Sequence, residues 1–193
     1  AHWGGTRNGP IVHWPRGIDE RGGLRHQFTH VIDVAPTILE AAGLPEPTLV
    51  NGVLQSPMEG TSMLYSFGDA DAPERHDLQY FEMGGNRGIY YKGWSAVTKH
   101  RTPWILMDQK MVAFDDDVWE LYDITRDFSE DDDLAAKDPK RLAELQKTFD
   151  AQAKTNKVYP LGAGIWLRLH PEDRVKSPYT HWTLDATTTR MPE

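Results

Sequence analysis

The chain has 193 residues, of which 39% are hydrophobic and 26% are charged, and its mean hydropathy is −0.60. Seven Trp, seven Tyr and six Phe supply enough large apolar side chains for a core, which excludes an intrinsically disordered chain. The 29 acidic residues outnumber the 21 basic residues, and the net charge of −8 disfavours nucleic-acid and anionic-membrane partners. No apolar run approaches the roughly 20 residues that a membrane span needs.

The chain contains no cysteine, which excludes disulfides, thiolate metal sites and a cysteine nucleophile. Its first residues, Ala-His-Trp-Gly-Gly, include neither a starting Met nor the charged and then apolar pattern of a signal sequence. We therefore expect the chain to be a piece of a longer protein.

The first half of the chain predicts a short strand, one helix and a long loop. Residues 1–25 hold six Gly and two Pro around one apolar segment, Ile11–Trp14, which predicts a strand between loops. In residues 28–43, Asp33 is a plausible helix cap and Gly43 a stop signal. An amphipathic helix is predicted there from apolar residues at helical spacing, namely Val31, Ala35, Ile38, Leu39 and Ala42. Residues 44–77 lack periodicity and predict a long connecting loop.

The second half predicts an antiparallel meander followed by a helix. Three runs rich in aromatic and β-branched residues are strand-like, namely Leu78–Met83, Gly88–Thr98 and Val118–Ile124. A Gly84-Gly85-Asn86 turn separates the first two runs. The helix is predicted over about Pro139–Thr155, with its apolar face covering one side of the sheet.

Several motifs that suggest metal or nucleotide binding are better explained as loops. The acidic clusters Asp115–Asp117 and Glu130–Asp133 lack the alternating ligands and central Gly of a calcium loop, so we interpret them as solvated loop charge. His26 and His30 stand four residues apart without the Glu of a His-Glu-x-x-His zinc motif. Neither a Walker phosphate loop nor a Gly-x-Ser-x-Gly elbow occurs in the sequence.

Four segments in order resemble one enzyme family. They are HWGGTRNGPIVHWPRGI (residues 2–18), FTHVIDVAPTILEAAG (residues 28–43), QYFEMGGNRGIY (residues 79–90) and WELYD (residues 119–123). These segments are similar to the Gly-Gly-x-Arg loop, the Asp-x-x-Pro-Thr-x-Leu helix and the carboxy-terminal subdomain of type I sulfatases, relatives of alkaline phosphatase. The similarity covers roughly residues 1–161. It implies the carboxy-terminal portion of a bacterial arylsulfatase.

The resemblance also implies a chemistry whose groups this chain lacks. Type I sulfatases use a formylglycine made from a Cys or Ser in a Cys/Ser-x-Pro-x-Arg motif, a calcium ion held by Asp and Asn, and a catalytic Lys. The Ser56-Pro57 and Ser177-Pro178 pairs lack the intervening residue and the Arg of that motif. We therefore expect no catalytic residue, no metal ligand and no cofactor in this chain, and we expect calcium, formylglycine and the Lys in an upstream portion.

The first loop is the part that the resemblance places near a substrate. His2, Thr6 and Arg7 are the candidates for bordering the substrate pocket. The alternative for Arg7 is structural: the two Gly form a tight turn, and the guanidinium holds it by bonding to backbone carbonyls or a carboxylate. Asn86, Arg87 and Trp94 are expected to be packing and turn residues.

The resulting expectation is an α/β, alkaline-phosphatase-like carboxy-terminal fragment that is α+β locally, with a small antiparallel sheet and a packed helix. Residues 1–45 would form the end of the main α/β sheet, and residues 46–77 would be a long connecting loop. Residues 78–161 would form the antiparallel subdomain with its helix. Residues 162–193, with a short strand at Ile165–Leu169, would form an extension or a linker to a further domain. The expected partners are the upstream catalytic portion and a small sulfate ester, without nucleic acid or membrane. The compartment stays open between bacterial cytoplasm and periplasm. Two alternatives remain: a phosphonate or phosphate monoester hydrolase of the same superfamily, and a stand-alone binding module.

Overall fold

A four-stranded antiparallel sheet organises the chain in a computed structural model, which describes residues 2–102 and 113–161. The strands are β3 (Leu78–Met83), β4 (Asn86–Tyr91), β5 (Trp94–Thr98) and β6 (Trp119–Asp123), paired in chain order. The predicted run Gly88–Thr98 is two strands rather than one. Lys92 and Gly93 both have positive φ, 48° and 82°, and these values suit the tight primed turn of a hairpin.

One face of this sheet is covered by helix α3 (Pro139–Thr155), at the bounds that the sequence predicts. Asp138 caps its first turn by accepting a hydrogen bond from the Arg141 N–H at 3.0 Å, and Pro139 follows the cap. The helix and the sheet share a core of fully buried apolar side chains, namely Ile89, Ala96, Leu121, Leu145, Phe149 and Ala153. Burial of this face holds the subdomain together.

The opposite face of the sheet receives the amino-terminal part of the chain. Tyr90, Val97, Tyr122 and Ile124 form a second buried cluster on it, against which Trp3, Phe28 and Phe81 pack. The first residues of the chain therefore lie against the strands that come late in the sequence.

The helix predicted within residues 28–43 forms, but the face that it buries differs from the one its pattern indicated. A 3-10 turn, Val31–Asp33, leads into α2 (Val34–Ala41), and Gly43 ends it with φ +65°. Val31 and Ile38, assigned to the inner face, are 75% and 62% exposed. The polar Thr37 is buried instead, because its hydroxyl bonds both the Asp33 carbonyl and the Met63 N–H.

The strand predicted at Ile11–Trp14 is not formed. These residues have no regular structure, and Ile11 is 98% exposed. A single extended segment needs a neighbouring strand for its backbone groups, and none of the strands in residues 2–102 and 113–161 pairs with it.

The loop predicted over 44–77 contains a small hairpin that the sequence analysis missed. Strands β1 (Leu49–Val50) and β2 (Val53–Leu54) pair around Asn51 and Gly52, whose φ values are 52° and 82°. Asn-Gly is the strongest short-range hairpin signal, although the flanking strands are only two residues long. The strand predicted at Ile165–Leu169 lies outside the described residues, and the domain boundaries stay predictions. No helix in the described parts of the chain is long and apolar enough to cross a bilayer.

Candidate functional site

The first loop folds as one helical turn rather than as a glycine turn. In α1 (Trp3–Thr6) the Gly5 N–H bonds the His2 carbonyl at 2.9 Å, and the Arg7 N–H bonds the Trp3 carbonyl at 2.8 Å. Neither Gly4 nor Gly5 has positive φ, and a Cβ on either would meet nothing within 4 Å. The two glycines are therefore not required by the conformation of the turn.

Aromatic rings hold this turn against the sheet. Trp3 stacks on Tyr90 with ring centroids 6.4 Å apart, and Phe28 stacks on the same Tyr90 ring at 3.9 Å. The Arg7 guanidinium lies 4.8 Å from the Trp3 ring centroid and 5.0 Å from that of Phe128. The expected carbonyl or carboxylate partners of Arg7 are thus replaced by two ring faces, within the described residues. A role in holding the loop fits this geometry and stays a prediction.

His2 is oriented by a carboxylate on β6. Its Nε2 lies 2.6 Å from Glu120 Oε2, and the Tyr122 hydroxyl donates to the same oxygen at 3.0 Å. Burial and the hydrogen bond to Glu120 raise the pKa of Tyr122 far above its usual range, so the hydroxyl keeps its proton and remains a donor. The His2 side chain is half exposed.

A cavity of about 1140 Å³ adjoins this loop and wraps around the edge strand β3. Phe81 and Tyr80, which point to opposite faces of the sheet, both line it. His2 and Thr6 line it as well, whereas Arg7 contacts the Trp3 and Phe128 rings. Its charged walls are mixed in sign, with two acids and two bases: Glu59, Glu82, Lys99 and Arg101. Contact of His2, Thr6 or Arg7 with a substrate stays a prediction.

A buried Asp–His pair joins three segments beside the cavity. Asp33 is fully buried, and its carboxylate accepts the His30 and Thr61 N–H groups, each at 2.7 Å. Both of its oxygens also lie 2.8 Å from Nδ1 of His76, which lines the cavity. Asp33 was predicted only as a helix cap, and no local pattern pointed to His76, which is 43 residues away.

The pKa values of this pair move in opposite directions. Burial alone would raise the pKa of Asp33, but the hydrogen bonds from His76, His30 and Thr61 outweigh it and the pKa is lowered. Burial would likewise lower the pKa of His76, but the bond and charge of Asp33, with the Gln79 amide oxygen, raise it. The pair is therefore favoured as carboxylate and imidazolium.

A family comparison identifies the chain. The family model described as N-sulphoglucosamine sulphohydrolase, C-terminal, matches residues 5–158. The chain belongs to this sulfatase C-terminal family. This match confirms the predicted relationship to the carboxy-terminal part of a sulfatase. The structure confirms the predicted small antiparallel sheet with a packed helix.

Solved structures that resemble the chain come from bacterial sulfatase work. One belongs to a study of how Bacteroides thetaiotaomicron metabolises multiple glycosaminoglycans, with 19% identity, a TM-score of 0.43, and coverage of 62% of this chain and 24% of that chain. A second was solved in complex with its substrate, D-glucosamine-2-N,6-O-disulfate, with 20% identity, a TM-score of 0.42, and coverage of 68% and 25%. The chain thus spans about a quarter of the length of these proteins.

The carboxylates of this sulfatase C-terminal region serve structural bonds. Asp117 pairs with Arg87 at 2.5 Å, and Asp133 accepts the Leu121 N–H at 2.9 Å. Within residues 2–102 and 113–161, no group of three or more His, Asp or Glu side chains is arranged to hold a metal ion. The described residues therefore do not form the calcium site that the resemblance implies for the parent.

Asn86, Arg87 and Trp94, which are expected to be packing and turn residues, make packing and backbone contacts. The Asn86 side-chain oxygen accepts the backbone N–H groups of His100 and Arg101 at 2.9 and 3.1 Å. Arg87 lies over the Trp119 ring at 5.1 Å from its centroid, and Trp94 receives Arg141 in the same way at 4.8 Å.

Proposed function

We propose that this chain is the carboxy-terminal part of a sulfuric ester hydrolase of the arylsulfatase type, which releases inorganic sulfate from a sulfate ester. The observation that carries the proposal is the family match over residues 5–158, which begins inside the loop whose His2 and Thr6 line the cavity. In this proposal the chain walls the substrate pocket and holds that loop in place.

The groups that break the ester bond are proposed to come from the upstream portion of the same protein. The sequence has no cysteine, and its two Ser-Pro pairs do not match the formylglycine motif. A formylglycine supplies the nucleophile in type I sulfatases, and this chain has no Cys or Ser within the motif from which it is made. His2 and Thr6 are proposed to contact the substrate, and Arg7 to fix the loop that carries them.

Exposed apolar side chains on two separate elements support the upstream portion as the partner of this chain. Val34 and Ile38 on α2 are 40% and 62% exposed, and Leu49, Val53 and Leu54 on the small hairpin are 62%, 55% and 73% exposed. Covering exposed apolar side chains with a second surface removes them from water, which favours association. We propose that the main α/β sheet of the parent packs here.

A substrate panel on the full-length protein tests the proposed function. The panel contains nitrophenyl sulfate, nitrophenyl phosphate, a phenyl phosphonate monoester and N-sulfated glucosamine. We expect the highest kcat/KM for nitrophenyl sulfate, by at least on the order of tenfold, because the pocket would discriminate through transition-state contacts to the sulfate group.

Each other outcome favours a named alternative. Preference for N-sulfated glucosamine would keep a sulfatase and overturn the arylsulfatase assignment. Preference for the phosphate or the phosphonate would replace sulfatase by its superfamily alternative. Binding of a sulfated ligand without any turnover would favour the binding module.

A further inference from the structure

Two carboxylates of the sheet subdomain hold the first loop in the same manner. Glu130, between β6 and α3, accepts the Trp3 backbone N–H on Oε2 at 2.7 Å and the Ser95 hydroxyl on Oε1 at 3.0 Å. Glu120, on β6, bonds His2 Nε2 at 2.6 Å and the Tyr122 hydroxyl at 3.0 Å. Each carboxylate is thus shared between one hydroxyl of the sheet and one nitrogen of the loop. We call Glu120 and Glu130 the carboxylate clamp.

The sheet side of the clamp is firmly fixed. Ser95 and Tyr122 are buried, with 4% and 5% exposure, on neighbouring strands paired in register. Asp127 orders the segment around Glu130, because its carboxylate accepts the N–H groups of Asp131 and Asp132 at 2.7 and 2.9 Å. Contacts within the sheet subdomain thus help to orient both carboxylates toward the loop.

Glu130 also adopts a backbone conformation that its side chain disfavours. Its φ is 57°, in the left-handed region where residues other than Gly, Asn and Asp are uncommon. Such strain persists only where surrounding contacts impose it, and it concentrates at functional positions. The contacts around Glu130 are the two hydrogen bonds of its carboxylate and the turn bonds of its segment to Asp127.

The loop side of the clamp determines where the pocket residues lie. The Trp3 N–H is the first donor of α1, so its anchoring sets the start of the turn that carries Thr6. The His2 ring is anchored separately through Nε2. Hydrogen bonds to an ionised acceptor are shorter and stronger than neutral ones, which suits a positioning role.

We propose that Glu120 and Glu130 are positioning residues that hold His2 and Thr6 at the wall of the cavity for the sulfate ester. The proposal rests on the proposed function for its substrate and on the clamp geometry for its mechanism. Neither carboxylate contacts the reacting atoms. Both act through the loop.

Amide hydrogen exchange in the full-length protein tests the holding role without requiring activity. The variants are Glu130→Ala and Glu120→Ala, with Asp131→Ala as the matched control. Asp131 is an exposed neighbour whose backbone N–H donates to the Asp127 carboxylate. We expect exchange over residues 2–8 to rise by on the order of tenfold in Glu130→Ala, less in Glu120→Ala, and not in the control. Wild-type exchange over residues 2–8 in Glu130→Ala overturns the proposal.

Steady-state kinetics on the same proteins test the link to the pocket. We expect kcat/KM for nitrophenyl sulfate, counted per folded molecule, to fall by on the order of tenfold to a hundredfold in Glu130→Ala. Glu130→Gln should recover part of the loss, because its amide oxygen still accepts the Trp3 N–H. Faster exchange with control-like kinetics, or no recovery in Glu130→Gln, overturns the positioning role. Absence of turnover in the wild type overturns the proposed function, while exchange still decides whether the clamp holds the loop.

Discussion

Asp33→Asn is expected to lower the free energy of unfolding by about 3 to 5 kcal/mol, because it leaves the buried His76 imidazolium without its counter-charge. The replacement also turns an amide NH₂ toward groups that are themselves donors. Both carboxylate oxygens of Asp33 accept hydrogen bonds, from the His30 and Thr61 N–H groups and from His76. Equilibrium urea denaturation of the variant and the wild type measures the loss.

Glu40→Gln is the matched control for this charge change, since Glu40 is an exposed residue of α2, the helix that directly follows Asp33. We expect it to change stability by less than about 0.5 kcal/mol. A loss in Asp33→Asn no larger than in the control would contradict the role given to the Asp–His pair.

The pH dependence of stability follows from the directions of the two pKa values. The pKa of Asp33 is lowered on folding, so its contribution is present above its usual value of 3.8 and is lost as the pH falls through the folded pKa. The pKa of His76 is raised above 6.5, so its contribution is present below 6.5 and is lost as the pH rises through the folded pKa. Wild-type stability should exceed that of Asp33→Asn most between these limits.

Gly60→Ala is expected to destabilise the protein by about 3 kcal/mol, because the added methyl group has no room. An ideal Cβ at Gly60 would lie 2.1 Å from the Ile32 carbonyl oxygen and 3.0 Å from the Asp33 nitrogen. Both obstacles are backbone atoms, so the chain itself must move. That movement would pull the Thr61 N–H away from Asp33, to which it is bonded at 2.7 Å.

Gly68→Ala provides the comparison for this prediction. A Cβ at Gly68 would meet nothing within 4 Å, and Gly68 does not have positive φ. We expect its thermal unfolding midpoint to stay at or slightly above that of the wild type, because alanine reduces the entropy of the unfolded chain. Equal midpoints for the two alanine variants would show that residues 32 and 60 do not approach as closely as described.

Local sequence patterns were sufficient for the elements that local contacts define. The α3 helix has a cap at Asp138, a proline at its first position and an apolar face, and it forms at the predicted bounds. Strand β3 likewise coincides with its predicted run Leu78–Met83. Ile11–Trp14 does not form a strand in this chain, because so short a strand needs neighbours from elsewhere, and none of the strands in the described residues pairs with it.

The candidate site depended on contacts that no local pattern encodes. His2 and Glu120 are 118 residues apart in sequence, and Trp3 and Glu130 are 127 apart. The family resemblance pointed to the loop, whereas the acidic cluster that contains Glu130 predicted only solvated loop charge. A hydrophobic period reports which face of an element is buried, and it carries no information about which distant carboxylate bonds a given N–H.

The isolated 193-residue chain compared with the full-length protein tests the central claim most directly. Both proteins would be purified to homogeneity, checked for folding by Trp fluorescence, and assayed for sulfate release from nitrophenyl sulfate with and without calcium. We expect turnover by the full-length protein and none above background by the chain, because the sequence has no formylglycine motif to provide the nucleophile. Sulfate release by the chain alone that is abolished by a single substitution within it would show that the chain carries its own catalytic group.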